Sequence, residues 1–254
     1  MAKASSAPVG IFDSGVGGIS VLKCARLLLP HEHFIYYGDT LHAPYGTKPP
    51  HEVLGYARHV VDLLLARGVK AIVIACNTAT SVAAAQLRSQ LDLPIIGMEP
   101  ALKPASQLRH GGRVLVLATP VTLSLPKFQH LMELYGQGCV PVQCPGLMDL
   151  VEQGCLSGPE VEALLRQLLA PYQQEAIDAV VLGCTHYVFL RKAVEKMFPG
   201  AWVLDGNEGT VRQLKRRLEG ERLLAGAEHT GGVELLTSGA SDTVLPLMER
   251  LLDS

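Results

Sequence analysis

The chain has 254 residues, of which 48% are hydrophobic and 18% are charged. This length suits one large domain or two small ones, and the apolar content excludes a disordered chain. The formal net charge of −2 lacks the basic excess of a nucleic-acid-binding protein. The sequence has no run of about 18 apolar residues, no signal-like leader and only six cysteines. We therefore predict a cytoplasmic protein with reduced thiols and no membrane span.

The first half of the chain alternates short apolar strands with amphipathic helices. Strands are predicted at residues 9–12, 34–37, 71–75 and 94–97, and helices at residues 19–29, 50–67 and 78–90. The segment at residues 71–75 is continuously apolar, which is typical of a strand buried on both faces of a sheet. Because strands alternate with helices, the pattern predicts βαβ units and a parallel sheet.

The same alternation restarts near residue 113. Strands are predicted at residues 113–118, 140–143, 179–183, 202–204 and 233–237, and helices after Thr122 and at residues 159–172, 189–197, 210–218 and 244–252. In both halves a buried strand leads into a cysteine and then into polar residues, as Ala71–Thr78 and Ala179–His186 show. The offset between these segments nearly equals the offset between the first strands of the halves, which favours two copies of one α/β unit.

The predicted fold is therefore α/β. Two similar, pseudo-symmetric α/β domains with mostly parallel sheets are expected to face each other across a central cleft. Residues 1–97 together with residues 225–254 form the first predicted domain. Residues 98–224 form the second, so the end of the chain crosses back to the first half.

Reactive or polar side chains follow four of the predicted strands. They are Asp13 and Ser14, then Cys76, Asn77 and Thr78, then Thr119, and finally Cys184, Thr185 and His186. Parallel α/β sheets bind ligands at the carboxyl ends of their strands. A lone buried cysteine is usually a small apolar residue. Two cysteines at equivalent strand ends, each followed by polar residues, instead indicate a functional pair.

Two opposed thiols suit the inversion of a carbon centre, because one group removes a proton while the other delivers one to the opposite face. A free thiol has a pKa of about 8.5, which neighbouring groups can tune. Cys76 and Cys184 both precede a predicted helix, whose dipole favours the thiolate. Asp13 and His186 are candidate proton partners, although a turn or helix cap for Asp13 and a buried, hydrogen-bonded imidazole for His186 are alternatives.

Other motifs carry less information. The segment Asp13–Gly18 is rich in glycine, but it lacks the spacing of dinucleotide-binding and P-loop motifs, and its backbone N–H groups would suit a carboxylate equally well. No further ligands near Cys139, Cys144 and Cys155 complete a zinc site. The histidines at positions 31, 33 and 42 are predicted at the surface. Tyr45 lies in a turn, where it packs against the core edge or lines the cleft.

Four motifs occur together in the order Ile11–Gly18, Ala43–Gly46, Ala75–Ala79 and Gly183–Tyr187. In this order and spacing they resemble the bacterial glutamate racemases of the cofactor-independent aspartate/glutamate racemase superfamily. The resemblance extends from about Pro8 to the last predicted helix.

The resemblance implies that the substrate is glutamate and that neither pyridoxal phosphate nor a metal is needed. Cys76 would take the proton from D-glutamate and Cys184 the proton from L-glutamate. Asp13 would assist Cys76, and His186, supported by Glu152, would assist Cys184. The residues that would hold the substrate are Asp13, Ser14, Tyr45, Gly46, Asn77, Thr78, Thr119, Thr185 and His186. The main motifs contain no lysine or arginine, so neutral donors would bind the carboxylates.

The resemblance also implies a role in cell-wall biogenesis and cell shape, because D-glutamate is a peptidoglycan precursor. It implies a homodimer in the cytoplasm, without nucleic-acid or membrane partners. Some family members bind DNA gyrase, and nothing in this composition supports or excludes that role. The segment before Pro8 is short, so little control by a cell-wall precursor is expected.

Three alternative functions are weighed against a glutamate racemase. The first is an aspartate or hydantoin racemase that uses the same thiols. The second is a thiol–disulfide or redox-sensing protein, although the wide separation of Cys76 and Cys184 is unlike a C-x-x-C motif. The third is a binding protein without catalysis.

Overall fold

The computed structural model describes residues 5–254. Its strands are β1 (Val9–Asp13), β2 (His33–Gly38), β3 (Ala71–Ile74), β4 (Ile95–Gly97), β5 (Arg113–Ala118), β6 (Cys139–Gln143), β7 (Ile177–Leu182), β8 (Trp202–Asp205) and β9 (Gly232–Thr237). Every predicted strand is present, with ends shifted by at most two residues.

The helices follow the predicted alternation. They are α1 (Ile19–Leu28), α2 (Pro50–Ala66), α3 (Asn77–Gln90), α4 (Leu102–Gln107), α5 (Pro120–Ser124), α6 (Pro126–Tyr135), α7 (Leu147–Glu152), α8 (Pro159–Leu169), α9 (Arg191–Met197), α10 (Asn207–Gly220) and α11 (Ser241–Asp253). The short helices α4 and α7 were not predicted. None of the helices within residues 5–254 combines the length and apolar composition that a bilayer span requires.

Helix α2 shows how the sequence specifies these elements. It begins with Pro50 in its first turn, where a missing N–H costs nothing. Its buried side chains recur at helical spacing at Val53, Ala57, Val60, Val61 and Leu64. Gly68 follows the helix with a φ of 74°, a left-handed conformation that glycine adopts without strain.

The strands form two separate parallel sheets. One has the order β4-β3-β1-β2-β9 and the other β6-β5-β7-β8, and every strand pair is parallel. All four residues of the internal strand β3 are buried, as its continuous apolar run predicts. The two α/β units with parallel sheets confirm the predicted fold class.

The division between the units differs from the predicted one. One unit runs to Met98 and includes Asn207–Ser254, whereas the other is Glu99–Gly206. The sequence pattern places residues 207–224 in the second domain. Helix α10 instead packs against α1 and β4, burying Val211, Leu214 and Leu218 in the first unit. Its amphipathic pattern indicates that one face is buried, but not which sheet covers that face.

Candidate active site

In the first unit, the ends of β1 and β3 lie side by side, because Phe12 is in register with Ile74. Asp13 ends β1 and is fully buried. Its Oδ1 accepts a hydrogen bond from the Ser14 N–H at 2.7 Å, and its Oδ2 accepts one from the Gly18 N–H at 2.6 Å. The carboxylate therefore caps the turn into α1, which is the alternative to a proton-transfer role that the sequence offered for Asp13.

Gly18 allows this turn to approach the site closely. A Cβ atom at Gly18 would lie 2.7 Å from the Asp13 Cβ and 3.0 Å from the Tyr36 ring. The Tyr36 hydroxyl donates to the carbonyl oxygen of Gly15 at 2.6 Å. The glycine-rich segment is thus held in one conformation around the Asp13 carboxylate.

Cys76 follows β3 and is buried at the N-cap position of α3. Its sulfur accepts a hydrogen bond from the Ala79 N–H at 3.4 Å. The thiol also lies 3.9 Å from the Ser14 Oγ, which in turn lies 3.3 Å from the Asp13 Oδ1. The position at a helix N-terminus stabilises a thiolate, and the Ser14 hydroxyl connects the thiol to the carboxylate.

Asn77 is the polar residue next to this thiol, and its surroundings point to a ligand. It is only 5% exposed. Neither its amide nitrogen nor its amide oxygen has a hydrogen-bond partner within residues 5–254. An unsatisfied buried polar group costs about 1–3 kcal/mol. A bound molecule with both acceptor and donor groups would remove this cost.

The turn that contains Tyr45 lies in the same unit. Tyr45 and Gly46 are buried in the 3-10 helix Tyr45–Thr47, and the Tyr45 ring packs in the apolar cluster that also contains Cys76. The Tyr45 hydroxyl donates to Oδ2 of Asp39 at 2.5 Å. The sequence analysis does not single out Asp39 as a site residue. Its position directly after β2, a polar residue at the carboxyl end of a strand, is the same feature that identified Asp13.

His42 differs from the prediction of a surface residue. Its side chain is 33% exposed, and Nδ1 lies 2.9 Å and 3.0 Å from the two carboxylate oxygens of Asp39. His31 and His33 are exposed, as predicted. The difference arises because the partner of His42 lies in the same tight turn, where no periodic pattern predicts burial.

In the second unit, Cys184 follows β7 and is buried beside a histidine. Its sulfur lies 3.7 Å from Nδ1 of His186. On the other side of the ring, Nε2 of His186 lies 2.6 Å from Oε1 of Glu152. Burial lowers the pKa of His186, but its hydrogen bonds to Cys184 and Glu152 outweigh burial, and the pKa is raised well above its usual value. The surroundings therefore favour the imidazolium form of the ring, which lies between the Cys184 sulfur and the Glu152 carboxylate.

A 3-10 helix stands between Cys184 and the predicted helix, which is present as α9. The residues after the cysteine form the 3-10 helix Thr185–Leu190, and no side-chain hydrogen bond caps it in the part of the chain that the structure describes. Cys184 therefore precedes a helical N-terminus, as predicted, but that of a shorter and tighter helix than the one after Cys76. The His186 ring is a second neighbour that can support a Cys184 thiolate.

Hydroxyl groups complete this part of the second unit. Thr119 follows β5 and caps α5, where its Oγ1 accepts a hydrogen bond from the Thr122 N–H at 3.4 Å. Thr185 is buried, and its Oγ1 lies 3.5 Å from Nδ1 of His186. The Tyr187 hydroxyl donates to the carbonyl oxygen of Cys144 at 3.0 Å and so anchors the turn.

The other cysteines are placed differently. Burial, with the negative charge of Cys184 as the second cause, raises the pKa of Cys144 to about 12, so this residue stays a neutral thiol. All six cysteines are free of disulfides. Within residues 5–254, no group of three or more His, Cys, Asp or Glu side chains is arranged to hold a metal ion.

Comparisons with known proteins agree with this geometry. A family model described as Asp/Glu/Hydantoin racemase matches residues 20–214. A glutamate racemase from Clostridium botulinum (strain Okra / Type B1) is 46% identical over 249 residues, which cover 97% of each chain. Among solved structures, glutamate racemase from Thermus thermophilus, in complex with beta-chloro-D-alanine, is 38% identical. It has a TM-score of 0.80 over 98% of this chain and 94% of that chain.

A second solved structure is similar over the same extent. Glutamate racemase from Francisella tularensis subsp. tularensis SCHU S4, in complex with D-glutamate, is 26% identical. Its TM-score is 0.84, over 98% of this chain and 95% of that chain. These similarities cover both units and both cysteine-bearing strand ends.

Proposed function

This chain belongs to the Asp/Glu/hydantoin racemase family and, within it, to the glutamate racemases, and from this premise we propose that it interconverts L- and D-glutamate with two thiols. One observation carries the proposal. Each unit holds one buried cysteine at the carboxyl end of a parallel strand, with groups beside it that suit proton transfer. The Clostridium, Thermus and Francisella relatives bear the name glutamate racemase, which favours glutamate over aspartate or a hydantoin.

The proposed reaction is a balanced exchange of two protons. With D-glutamate, the Cys76 thiolate takes the proton from Cα, and the electron pair of the broken bond is delocalised towards the neighbouring carboxylate. The Cys184 thiol then donates its proton to the other face of Cα, which forms L-glutamate. The reverse reaction exchanges the two roles. No electron leaves the substrate, so the scheme needs no oxidant, and we propose that the two thiols act without pyridoxal phosphate or a metal.

The groups around each thiol set its protonation state. For Cys76, the Ala79 N–H and the start of α3 stabilise the thiolate, and Ser14 links the sulfur to Asp13. For Cys184, the charged ring of His186 does so, because the Glu152 carboxylate favours the imidazolium. General acid–base catalysis of this kind is worth about 10²–10⁴-fold in rate.

Substrate binding is proposed to rely on neutral donors. The unsatisfied amide of Asn77 supports this, because its donor and acceptor atoms suit a carboxylate and an ammonium group. The remaining proposed contacts are Ser14, Thr78, Thr119, Thr185 and the backbone at Tyr45–Gly46.

The physiological role is proposed from the same family membership. The product, D-glutamate, would serve peptidoglycan synthesis in the cytoplasm, and the chain would act as a homodimer. Light scattering on the protein eluted from a size-exclusion column gives its mass in solution and so tests the homodimer. Depletion of the protein in its host, with D-glutamate added back to the medium, tests the cell-wall role.

The deciding experiment follows optical rotation and deuterium at Cα together, in D₂O with a chelator and no added cofactor. Racemisation of L-glutamate with solvent deuterium at Cα is expected for the wild type. Cys76→Ala and Cys184→Ala should each abolish racemisation. Cys139→Ala is the matched control, because Cys139 begins β6 and so lies at the opposite end of its sheet from the site. Exchange with aspartate or a hydantoin alone would refute the proposed substrate.

A further inference from the structure

A second polar network lies in the segment that follows β2. Asp39 comes directly after this strand and is only 2% exposed. Its backbone N–H donates to the carbonyl oxygen of Asp13 at 3.0 Å. Asp39 is therefore hydrogen-bonded to the end of β1, where Asp13 lies close to Cys76. The proposed proton transfer has no role for this buried carboxylate.

The carboxylate holds two partners from two successive turns. The Tyr45 hydroxyl donates to Oδ2 at 2.5 Å, and Nδ1 of His42 lies within 3.0 Å of both oxygens. These partners belong to the 3-10 helices Thr40–His42 and Tyr45–Thr47. Hydrogen bonds to a carboxylate are about twice as strong as neutral ones. A single carboxylate therefore holds the two turns together.

Tyr45 connects this network to the candidate active site. Its ring is fully buried in the apolar cluster that includes Cys76. Burial raises its pKa, and so do the bond to Asp39 and the negative charges of Asp39, Cys76 and Asp13. The hydroxyl therefore remains a donor. Because both the ring and the hydroxyl are held, the backbone at Tyr45–Gly46 has one position.

An aromatic stack closes the outer side of the network. The His42 ring stacks on Tyr56, with centroids 4.1 Å apart and an interplanar angle of 19°. The Tyr56 hydroxyl points away, towards Oε2 of Glu52 at 3.4 Å. The stack keeps His42 against the carboxylate, and the Tyr56 hydroxyl takes no part in that contact.

Building on the proposed racemase activity, we propose that Asp39, backed by His42, is a positioning residue that holds Tyr45 so that the backbone at Tyr45–Gly46 is ready for a carboxylate of the substrate. Preorganised donors bind more tightly because the ordering cost is met before the ligand arrives. The substrate carboxylate that this backbone binds is held equally in the ground state and in the transition state. Removal of the support should therefore raise KM and leave kcat nearly unchanged.

The test compares Asp39→Ala, Asp39→Asn, Tyr45→Phe and the double variant Asp39→Ala/Tyr45→Phe. Asp39→Ala and Tyr45→Phe should each raise KM about tenfold for both enantiomers, with kcat within about twofold. Asp39→Asn keeps an acceptor oxygen and should raise KM less. The double variant should be no worse than the poorer single variant, because both changes remove the same bond.

Tyr56→Phe is the matched control, because it removes a neighbouring phenol hydroxyl and keeps the stack; its KM should stay at the wild-type value. Additive effects in the double variant, a fall in kcat at constant KM, or an unchanged KM in both single variants would overturn the proposal. Asp39→Asn nearly preserves the shape of the side chain, so it still provides a test if Asp39→Ala does not fold.

Calorimetric binding of D-glutamate repeats the comparison without turnover, in the Cys184→Ala background. Removal of Asp39 should weaken binding there by the same factor as the rise in KM. Failure of the wild type to racemise glutamate would contradict the proposed function alone. Equal binding with and without Asp39 would contradict the positioning role alone.

Discussion

The two cysteines occupy equivalent places in their sheets, but different groups support them. Cys76 follows β3 and caps α3, a helix of 14 residues, with a backbone N–H donating to its sulfur. Cys184 follows β7 and precedes a 3-10 helix of six residues. Its support is the His186 ring, which Glu152 holds from the other side.

This contrast separates two ways to stabilise a thiolate. Backbone N–H groups and a helix dipole keep their polarity at every pH, whereas an imidazolium loses its charge when its proton leaves. The second unit should therefore be sensitive to pH and to side-chain substitution. The first unit should be sensitive to changes in backbone geometry. The expected effects are ordered here from the largest to the smallest.

The largest effect is expected for His186→Asn, which removes the charge beside Cys184. We expect kcat/KM to fall by about 10²-fold or more. The fall must be equal in both directions, because enantiomers have an equilibrium constant of unity. The asymmetry should appear in the primary isotope effect, which should grow for 2-deuterated L-glutamate and shrink for 2-deuterated D-glutamate. Equal isotope effects for the two enantiomers would contradict the separate roles of the thiols.

The next effect concerns the backbone geometry of the first unit. In Gly18→Ala the new Cβ would lie 2.7 Å from the Asp13 Cβ, so the turn must shift, at a cost of about 1–3 kcal/mol in the free energy of unfolding. Activity should fall as the Asp13 carboxylate moves. Gly55→Ala is the control: it lies in α2 with nothing within 4 Å of a new Cβ, and it should stabilise the protein by about 0.5–1 kcal/mol. Urea unfolding of both variants measures the difference.

A smaller effect is expected for Glu152→Gln, which keeps the shape of the side chain and removes its charge. Loss of this partner should cost about tenfold in kcat/KM, as expected for a charged hydrogen bond. The pKa of His186 should fall, because one of the two groups that raise it is neutral. The alkaline limb of the pH–rate profile should therefore move to lower pH. An unchanged alkaline limb would show that His186 does not set it.

The same substitution should change the pH dependence of stability. The pKa of His186 is raised in the folded protein, so its stabilising contribution is complete below the unfolded pKa of about 6.5 and is lost as the pH rises through the folded pKa. In Glu152→Gln this loss should begin at the same pH, end at a lower pH and be smaller. Urea unfolding in a pH series compares the two slopes.

The smallest effect is expected for Ser14→Ala in the first unit. Its hydroxyl lies 3.9 Å from the Cys76 sulfur, which is a weak contact, and the Ala79 N–H remains in place. We expect kcat/KM to fall by about threefold to tenfold, within the range of one neutral hydrogen bond. Steady-state kinetics in both directions measures this. A loss as large as that of His186→Asn would show that a side chain, not the backbone, dominates the first unit as well.

The amino-acid pattern alone was sufficient for the alternation of strands and helices and for the place of the reactive groups. Continuous apolar runs such as Ala71–Ala75 predict buried parallel strands, because both faces of such a strand are covered. Chain order then places Asp13, Cys76 and Cys184 at strand ends, since the carboxyl ends of parallel strands lie at one edge of the sheet. Both are local properties of the chain, so they can be read without a structure.

Contacts between distant segments became visible only in the folded chain. Periodicity shows that α10 buries one face, but only packing against α1 and β4 assigns it to the first unit. The bonds of Asp39 to His42 and Tyr45 join side chains in short turns, which have no periodic pattern. The 3-10 geometry after Cys184 likewise follows from surrounding contacts, such as Tyr187 with Cys144. Apolar spacing records that a residue is buried, whereas the partner that buries it depends on how the elements pack.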